Sequence, residues 1–526
     1  MHTTLRRLGA LLLPCALGLA WAQNVPDPGT LNFGIYFGIS NIDPHAINDW
    51  AGMWIDDNVY ETLVRYRSAE VHGKLVGTSK LQPWLAKSYR VSKNGRTYTF
   101  DLRSGVKFHH GGEMTAQDVQ FSLDRVLEIN LAPAQALKTC LDPAGIQVTG
   151  PLQLTVHLKS PCPYFLQLLA LPNTGSIVSK SYVMAHGGVQ PGKTNRWMTD
   201  HEDGTGAFLL SSWKPGVKYV LKAFSGYWGQ APKLKEVAFR EIPSVSSQYL
   251  LLKQGKLDVI YNPASDLVAQ AAHTPNLRVR EQPVIGNQIL YMNNQKKPFN
   301  SVLVRQAVMY ALNPEQISLA STGGVGSPAH SAFPKDLPGY SNRYWPYRYD
   351  PAKAKALLAK AGYPSGFSTT VYYNSGNSER QETAVTAQAE LAAVGIHAQV
   401  RSMAWPSFVN GFQTGTMPMF VVSNLNPPIP QLYVDQNFVS SSAGAGGNYA
   451  FYKNAQLDAL AKKLDLAVRP AAQQQLMNQI QQLLAKTLPE AFLYNESIPY
   501  LQGSWVHGWA LYPAGDWYFN SVYKGN

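Results

Sequence analysis

The chain has 526 residues, with 45 Lys and Arg against 33 Asp and Glu, a formal net charge of +12. At 45% hydrophobic and 15% charged residues it is too apolar for a disordered chain, and its length calls for more than one domain. The basic residues are scattered, with no run longer than pairs such as Lys296-Lys297 and Lys462-Lys463, which argues against a nucleic-acid or anionic-membrane surface.

Residues 1–22 read as a signal peptide. Arg6 and Arg7 form a basic start, Leu8 to Leu19 is an apolar core too short to span a bilayer, and Ala20-Trp21-Ala22 fits a cleavage site after Ala22. Cys15 follows Pro14 with little apolar core before it, a poor lipid-attachment context. The expectation is a soluble, exported chain, with no later stretch long and apolar enough to cross a membrane. Removing Arg6 and Arg7 leaves a charge of +10. Two cysteines survive cleavage, Cys140 and Cys162. In an oxidising compartment they are a disulfide candidate, and two buried thiols are the alternative.

Further along, Lys93-Asn94-Gly95 is a turn signal, because Asn and Gly tolerate positive φ. Tyr98, Phe100 and Leu102 then alternate with Thr97, Thr99 and Asp101 at the period of a half-buried strand. Thr115 and Asp118 open a helix whose apolar face is Val119, Leu123, Val126 and Leu127. Leu154 to Leu158 and Val237 to Ile242 read as strands. Asn313-Pro314 and Asp350-Pro351 start helices, the second closed by Gly362. A helix runs from Ser378 towards Gly395, a strand follows from Ile396, and Arg469-Pro470 opens a late amphipathic helix.

Motifs for chemistry fail their context tests. Gly187 to Thr194 spells a phosphate-loop pattern, but Pro191 removes one N–H and no amphipathic helix follows Thr194. His109-His110 has no spaced ligand set around it, so no metal is expected. No G-x-S-x-G elbow is present and no cofactor is implied. An enzyme, such as a nucleotide hydrolase, would rest on the failed phosphate loop alone.

The segment from Leu85 to Val119 closely resembles the signature of bacterial extracellular solute-binding proteins of family 5, the oligopeptide/dipeptide/nickel class that serves ABC importers. Three more blocks are similar to the same family in the same order: Gly204 to Gly229, Tyr291 to Ile317 and Tyr349 to Phe367. The resemblance implies an α/β fold of two lobes closing on a ligand, a periplasmic binding protein with an extra inserted subdomain. The first lobe would comprise residues 23–52, 199–284 and 488–526, the insertion residues 53–198, and the second lobe residues 285–487. The hinge would lie near Ile285 to Tyr291 and Leu488 to Tyr494. It further implies a monomer in the periplasm, a small-molecule or short-peptide ligand, a permease in the inner membrane as partner, no nucleic acid, and no catalysis.

In peptide-binding relatives, a Trp-containing segment leads to an acid that anchors the peptide's ammonium, since a buried charge needs a counter-charge. Trp405 fits the first part, but no acid occurs from Leu391 to Val434. The anchor position falls at Asn424 or near Pro427, so Trp405, Asn424 and Asn426 are the candidate ligand contacts of the second lobe. Asp43-Pro44-His45 resembles the family's N-terminal strand end, and the residues after it make Asn48, Asp49 and Trp50 candidates on the first lobe. Two cargoes therefore stand: a peptide or peptide-like solute, or a non-peptide such as a metal chelate, haem or sugar conjugate.

Overall fold

The computed structural model describes residues 25–525 except 48–49, 72–73, 513–514 and 516. The proposed leader and two of the candidate ligand residues, Asn48 and Asp49, lie outside the described residues. Trp50 begins the helix Trp50–Val59. Among the described residues, no helix is long and apolar enough to cross a membrane.

Local chemistry sets the elements. Gly95, with φ of 67°, turns the chain between the antiparallel strands Ala86–Val91 and Thr97–Leu102. In the second strand Tyr98, Phe100 and Leu102 are buried and the residues between them are not. The helix Ala116–Ile129 opens on a capping box, in which the Asp118 carboxylate accepts from the Thr115 N–H (2.9 Å) and hydroxyl (2.8 Å). Asn313 caps Pro314–Thr322 through the Gln316 N–H (3.3 Å), and Asp350 caps Pro351–Lys360 through the Lys353 N–H (2.9 Å). The helix Ser378–Ala392 takes Asn377 as its cap, the Asn377 side chain accepting from the Arg380 N–H at 2.8 Å. The phosphate-loop look-alike is a turn-rich connection with no helix at Lys193. Its Gly192 N–H is spent on the Ile129 carbonyl (2.8 Å) and its Lys193 N–H on the Gln190 carbonyl (3.2 Å).

One mixed sheet runs through both lobes. In the first lobe Thr30–Ile35 pairs in parallel with Glu236–Glu241 and Val259–Tyr261, and Lys218–Ala223 and Phe208–Lys214 extend the edge. In the second, Phe367–Asn374 lies in parallel between Ile396–Met403 and Met419–Leu425. Two long antiparallel strands, Leu277–Met292 and Glu490–Gly503, join the halves. Their register breaks between Pro283 and Asn287, opposite Ser497 and Asn495. Pro lacks the N–H a ladder needs, so a break is favoured there. This crossing lies at the start of the expected Ile285–Tyr291 hinge and just beyond Leu488–Tyr494.

Separate cores flank the crossing. Phe33, Trp54, Phe239, Tyr500, Trp509 and Trp517 fill the first, with Trp54 and Trp517 stacked at 4.0 Å and 2°. A second core, from Leu63 to Ile177, surrounds the four-stranded sheet of Ala86–Val91, Thr97–Leu102, Gln153–Leu158 and Leu141–Gly150. Cys140 and Cys162 are joined at its edge, with Cα atoms 5.7 Å apart. A buried ion pair ties this region to the N-terminal strand end: Arg125 donates to both Asp43 oxygens at 2.7 Å, and His45 Nδ1 lies 3.0 Å from its guanidinium. Burial first, and then the Arg125 charge, holds His45 down at about 3. The second lobe has two cores, one on each side of its sheet. Ile429 and Leu432, from the start of the helix Pro430–Phe438, instead pack into the Leu63–Ile177 core. The two lobes therefore touch through an apolar contact as well as through the crossing strands.

Candidate functional site

The cleft beside the crossing strands holds a cavity of about 310 Å³. Tyr36, Asn262 and Ser265 line it from the first lobe, Thr322, Asn377 and Glu379 from the second, and Ser497 from the crossing strand. Tyr36 stacks on Tyr261, with ring centres 6.1 Å apart, and its hydroxyl bonds the Asn262 side chain. One wall is thus aromatic with polar tips, the usual make-up of a small-ligand pocket.

The other wall carries one charged residue, Glu379. Glu379 and Arg380 stand in the first turn of the helix Ser378–Ala392, and Glu496 projects from the crossing strand. The Tyr494 hydroxyl donates to Glu379 at 2.8 Å. The Ser423 hydroxyl is shared between Gln288 Oε1, 3.1 Å away, and Glu496 Oε1. Burial, and then the Glu379 charge, pushes Glu496 up to about 7, against the Ser423 hydrogen bond and the Arg380 charge. Burial also raises Glu379, against the Tyr494 hydrogen bond and Arg380. Two carboxylates that repel in a half-dry site resist full ionisation and favour an arriving cation.

Arg380 donates through Nη1 to Asn374 Oδ1 at 2.7 Å, and its guanidinium carbon lies 5.7 Å from the Trp405 ring centre. Burial lowers its pKa, while Glu496 and Glu379 oppose that shift. Trp405 is 50% exposed, so it lies beside the Arg380 guanidinium and not in a core.

Asn424 is placed differently. It is 7% exposed, its Oδ1 accepts from the Asn287 N–H at 2.8 Å, and its Nδ2 donates to Asn437 at 3.4 Å. Asn437 in turn donates to Asn426 Oδ1 at 3.2 Å. These asparagines brace the register break. The residues that reasoning from sequence passed over are Ser423, Glu379, Arg380 and Glu496. The absence of acids between Leu391 and Val434 is real, but the fold brings Glu496 to Ser423 from 73 positions away. The one local signal was the Asn377 cap, which places Glu379 and Arg380 at a helix start.

The histidine pair has a structural setting. His109 Nδ1 meets Glu202 at 2.7 Å and its Nε2 meets the Gly206 carbonyl at 2.9 Å, both side chains buried. Burial pulls the His109 pKa down, but the Glu202 charge and hydrogen bond leave it raised overall. Among the described residues, no group of three or more His, Cys, Asp or Glu is placed to hold a metal ion.

Comparison with known proteins identifies the family and the fold. Residues 80–446 match the family model described as bacterial extracellular solute-binding proteins, family 5 Middle. The chain is 29% identical over 440 residues to the glutathione-binding protein GsiB of Salmonella typhi, covering 80% of each. Among solved structures it is similar to the periplasmic binding protein DppA of Helicobacter pylori in complex with the peptide STSA. That match has a TM-score of 0.78 and 27% identity, and covers 95% of this chain and 98% of that one. It is also similar to AgaA of A. tumefaciens R10 in complex with agropinic acid, with a TM-score of 0.76 and 25% identity over 95% of this chain and 99% of that one. The fold is the two-lobed α/β periplasmic binding protein fold, and the chain belongs to the bacterial extracellular solute-binding proteins of family 5.

Proposed function

We propose that this protein is the periplasmic capture component of an ABC importer. It acts as a monomer, closes two lobes over a peptide or peptide-like solute, and delivers it to a membrane permease. The observation that carries this reading is Glu379 on the wall of the interlobe cavity, with the buried Glu496 carboxylate near enough for the two charges to oppose each other. It supplies the negative charge that the Leu391–Val434 stretch lacks, and an ammonium leaving water needs such a partner. The relatives point the same way, one named for glutathione and one bound to a tetrapeptide. A non-peptide conjugate is the second reading, favoured by the likeness to the agropinic acid complex. Capture needs no bond-breaking step. The ligand favours the closed form because it touches both walls of the cleft.

Native mass spectra of the purified protein, before and after denaturation, would identify a co-purified cargo. Calorimetry with free-amine dipeptides and their N-acetylated counterparts tests the anchor. Glu496→Gln should weaken free-amine binding by about 10- to 100-fold, the value of a charge-assisted hydrogen bond. Equal affinity of the variant and the parent would remove Glu496 from the site.

A further inference from the structure

The first half of the crossing strand Leu277–Met292 carries a charge pattern that capture does not use. Alternate residues of a strand share a face, so Arg278, Arg280 and Gln282 project to one side, successive Cβ atoms about 7 Å apart. Gln282 is engaged at both ends of its amide. Its Nε2 donates to the Tyr512 carbonyl (3.0 Å), and its Oε1 accepts from the Tyr500 hydroxyl (2.6 Å) and the Trp517 indole (3.0 Å). The arginines are not so engaged. Arg280 makes one long bond, from Nη2 to the Trp509 carbonyl at 3.4 Å, and among the described residues neither guanidinium has a carboxylate partner. Burial lowers the Arg280 pKa, and the Arg278 charge lowers it further. A guanidinium offers five N–H donors in a planar fork, so most of this capacity is open.

Both arginines line a cavity of about 740 Å³, walled also by the hairpin of Val64–Val71 with Lys74–Pro83 and by the C-terminal segment. It shares no lining residue with the interlobe cavity. Trp509 lines it too. That side chain is 2% exposed, and among the described residues its indole N–H has no acceptor. Two cations and an unused donor thus border one space, against one acid, Glu70. Much of the remaining lining is apolar or aromatic: Leu75, Val279 and Val506, with His507 stacked on Tyr523 at 5.2 Å and 24°. We infer that this cavity is a second ligand site, for an organic dianion on a flat ring, such as an aryl phosphate free in solution. Arg278 and Arg280 take the charge, the Trp509 N–H gives a third donor, and Leu75, Val506 and the His507–Tyr523 pair cover the ring. A neutral solute would leave the two arginines repelling each other, and a monoanion would answer one of them. Inorganic phosphate would fill little of the space and leave its apolar wall wet. The site is separate from the capture cleft and does not depend on what that cleft binds.

The test is calorimetry on the whole mature protein with phenyl phosphate, a dianion at neutral pH, beside inorganic phosphate and phenol. Phenyl phosphate should bind at least about tenfold tighter than inorganic phosphate, weaken as salt is added, and phenol should give no heat. Arg278→Gln and Arg280→Gln should each weaken phenyl phosphate by at least about tenfold. Native mass spectra of both variants should show the same co-purified cargo as the parent. Arg278 is exposed, so Arg278→Gln keeps the test open if thermal melts show that Arg280→Gln does not fold. Absence of phenyl phosphate binding, an affinity unchanged in Arg278→Gln, or inorganic phosphate binding as tightly as the ester would each overturn the inference. Sedimentation with phosphatidylcholine vesicles containing phosphatidic acid tells a lipid headgroup from a free solute. Binding to those vesicles without binding of phenyl phosphate would overturn the soluble-ligand assignment.

Discussion

The proposed ammonium anchor, with Glu496 as its buried acid, makes capture proton-linked. In the free protein burial and Glu379 hold it at about 7, and an ammonium against it favours the ionised form, so binding expels a proton at and below neutrality. The group is protonated below its raised pKa and must be ionised to bind, so affinity is full above that pH and falls as the pH drops through it. Between pH 8 and pH 6 the Kd for a free-amine ligand should rise by about tenfold, checked by calorimetry in two buffers of different ionisation heat. A flat profile with no proton release would sink this. Asn424 makes the opposite case. Asn424→Asp removes the donor to Asn437 and buries a charge, so it should cost about 1–3 kcal/mol in denaturant unfolding with no gain for amines. Tighter amine binding by that variant would return the anchor to Asn424. Trp405 was named from its own segment, and it is exposed at the start of the helix Trp405–Gln413. Glu496 was not legible in this way, because its partner Ser423 is brought by strand pairing and no local pattern records it.

At the scale of elements, capped helices and tight turns were the readable part. Thr115 with Asp118, Asn313-Pro314 and Asp350-Pro351 each satisfy their own N–H groups within one turn, so the sequence around them is sufficient. The crossing strand Leu277–Met292 was less readable. Its first half carries Arg278, Arg280, Glu281 and Gln282, and its alternation is interrupted at Pro283, where it leaves one lobe for the other. From Val284 to Met292 every residue is buried, and a strand covered on both faces shows no period-2 pattern. The link between Cys140 and Cys162 joins two connecting segments, its cysteines 22 positions apart. Neither thiol should label in unfolded, unreduced protein, and replacing both by Ala should lower stability by about 2–4 kcal/mol. Two labelled thiols would show them free.

At the scale of the molecule, the lobes are held by more than their hinge. Ile429 and Leu432 belong to the second lobe in sequence but pack in the core of residues 63–177. Ile429→Ala with Leu432→Ala should weaken every ligand by the same factor, about tenfold, because only the closed form loses contacts. Small-angle scattering would show a more open particle without ligand. A change in ligand preference would place these side chains in the binding site instead. None of this contact could be read from the sequence, where both residues look like ordinary helix-start apolars. The shared sheet has a further consequence for the order of assembly. Val259–Tyr261 sits between Thr30–Ile35 and Glu490–Gly503, and Trp517 lies against Trp54, so the first lobe is sealed by the tail of the chain. Such distant pairings are slow to form. A nascent chain that has not yet released residue 490 lacks the strand both halves need. During synthesis it therefore remains open to a chaperone or a translocation channel until its final stretch arrives.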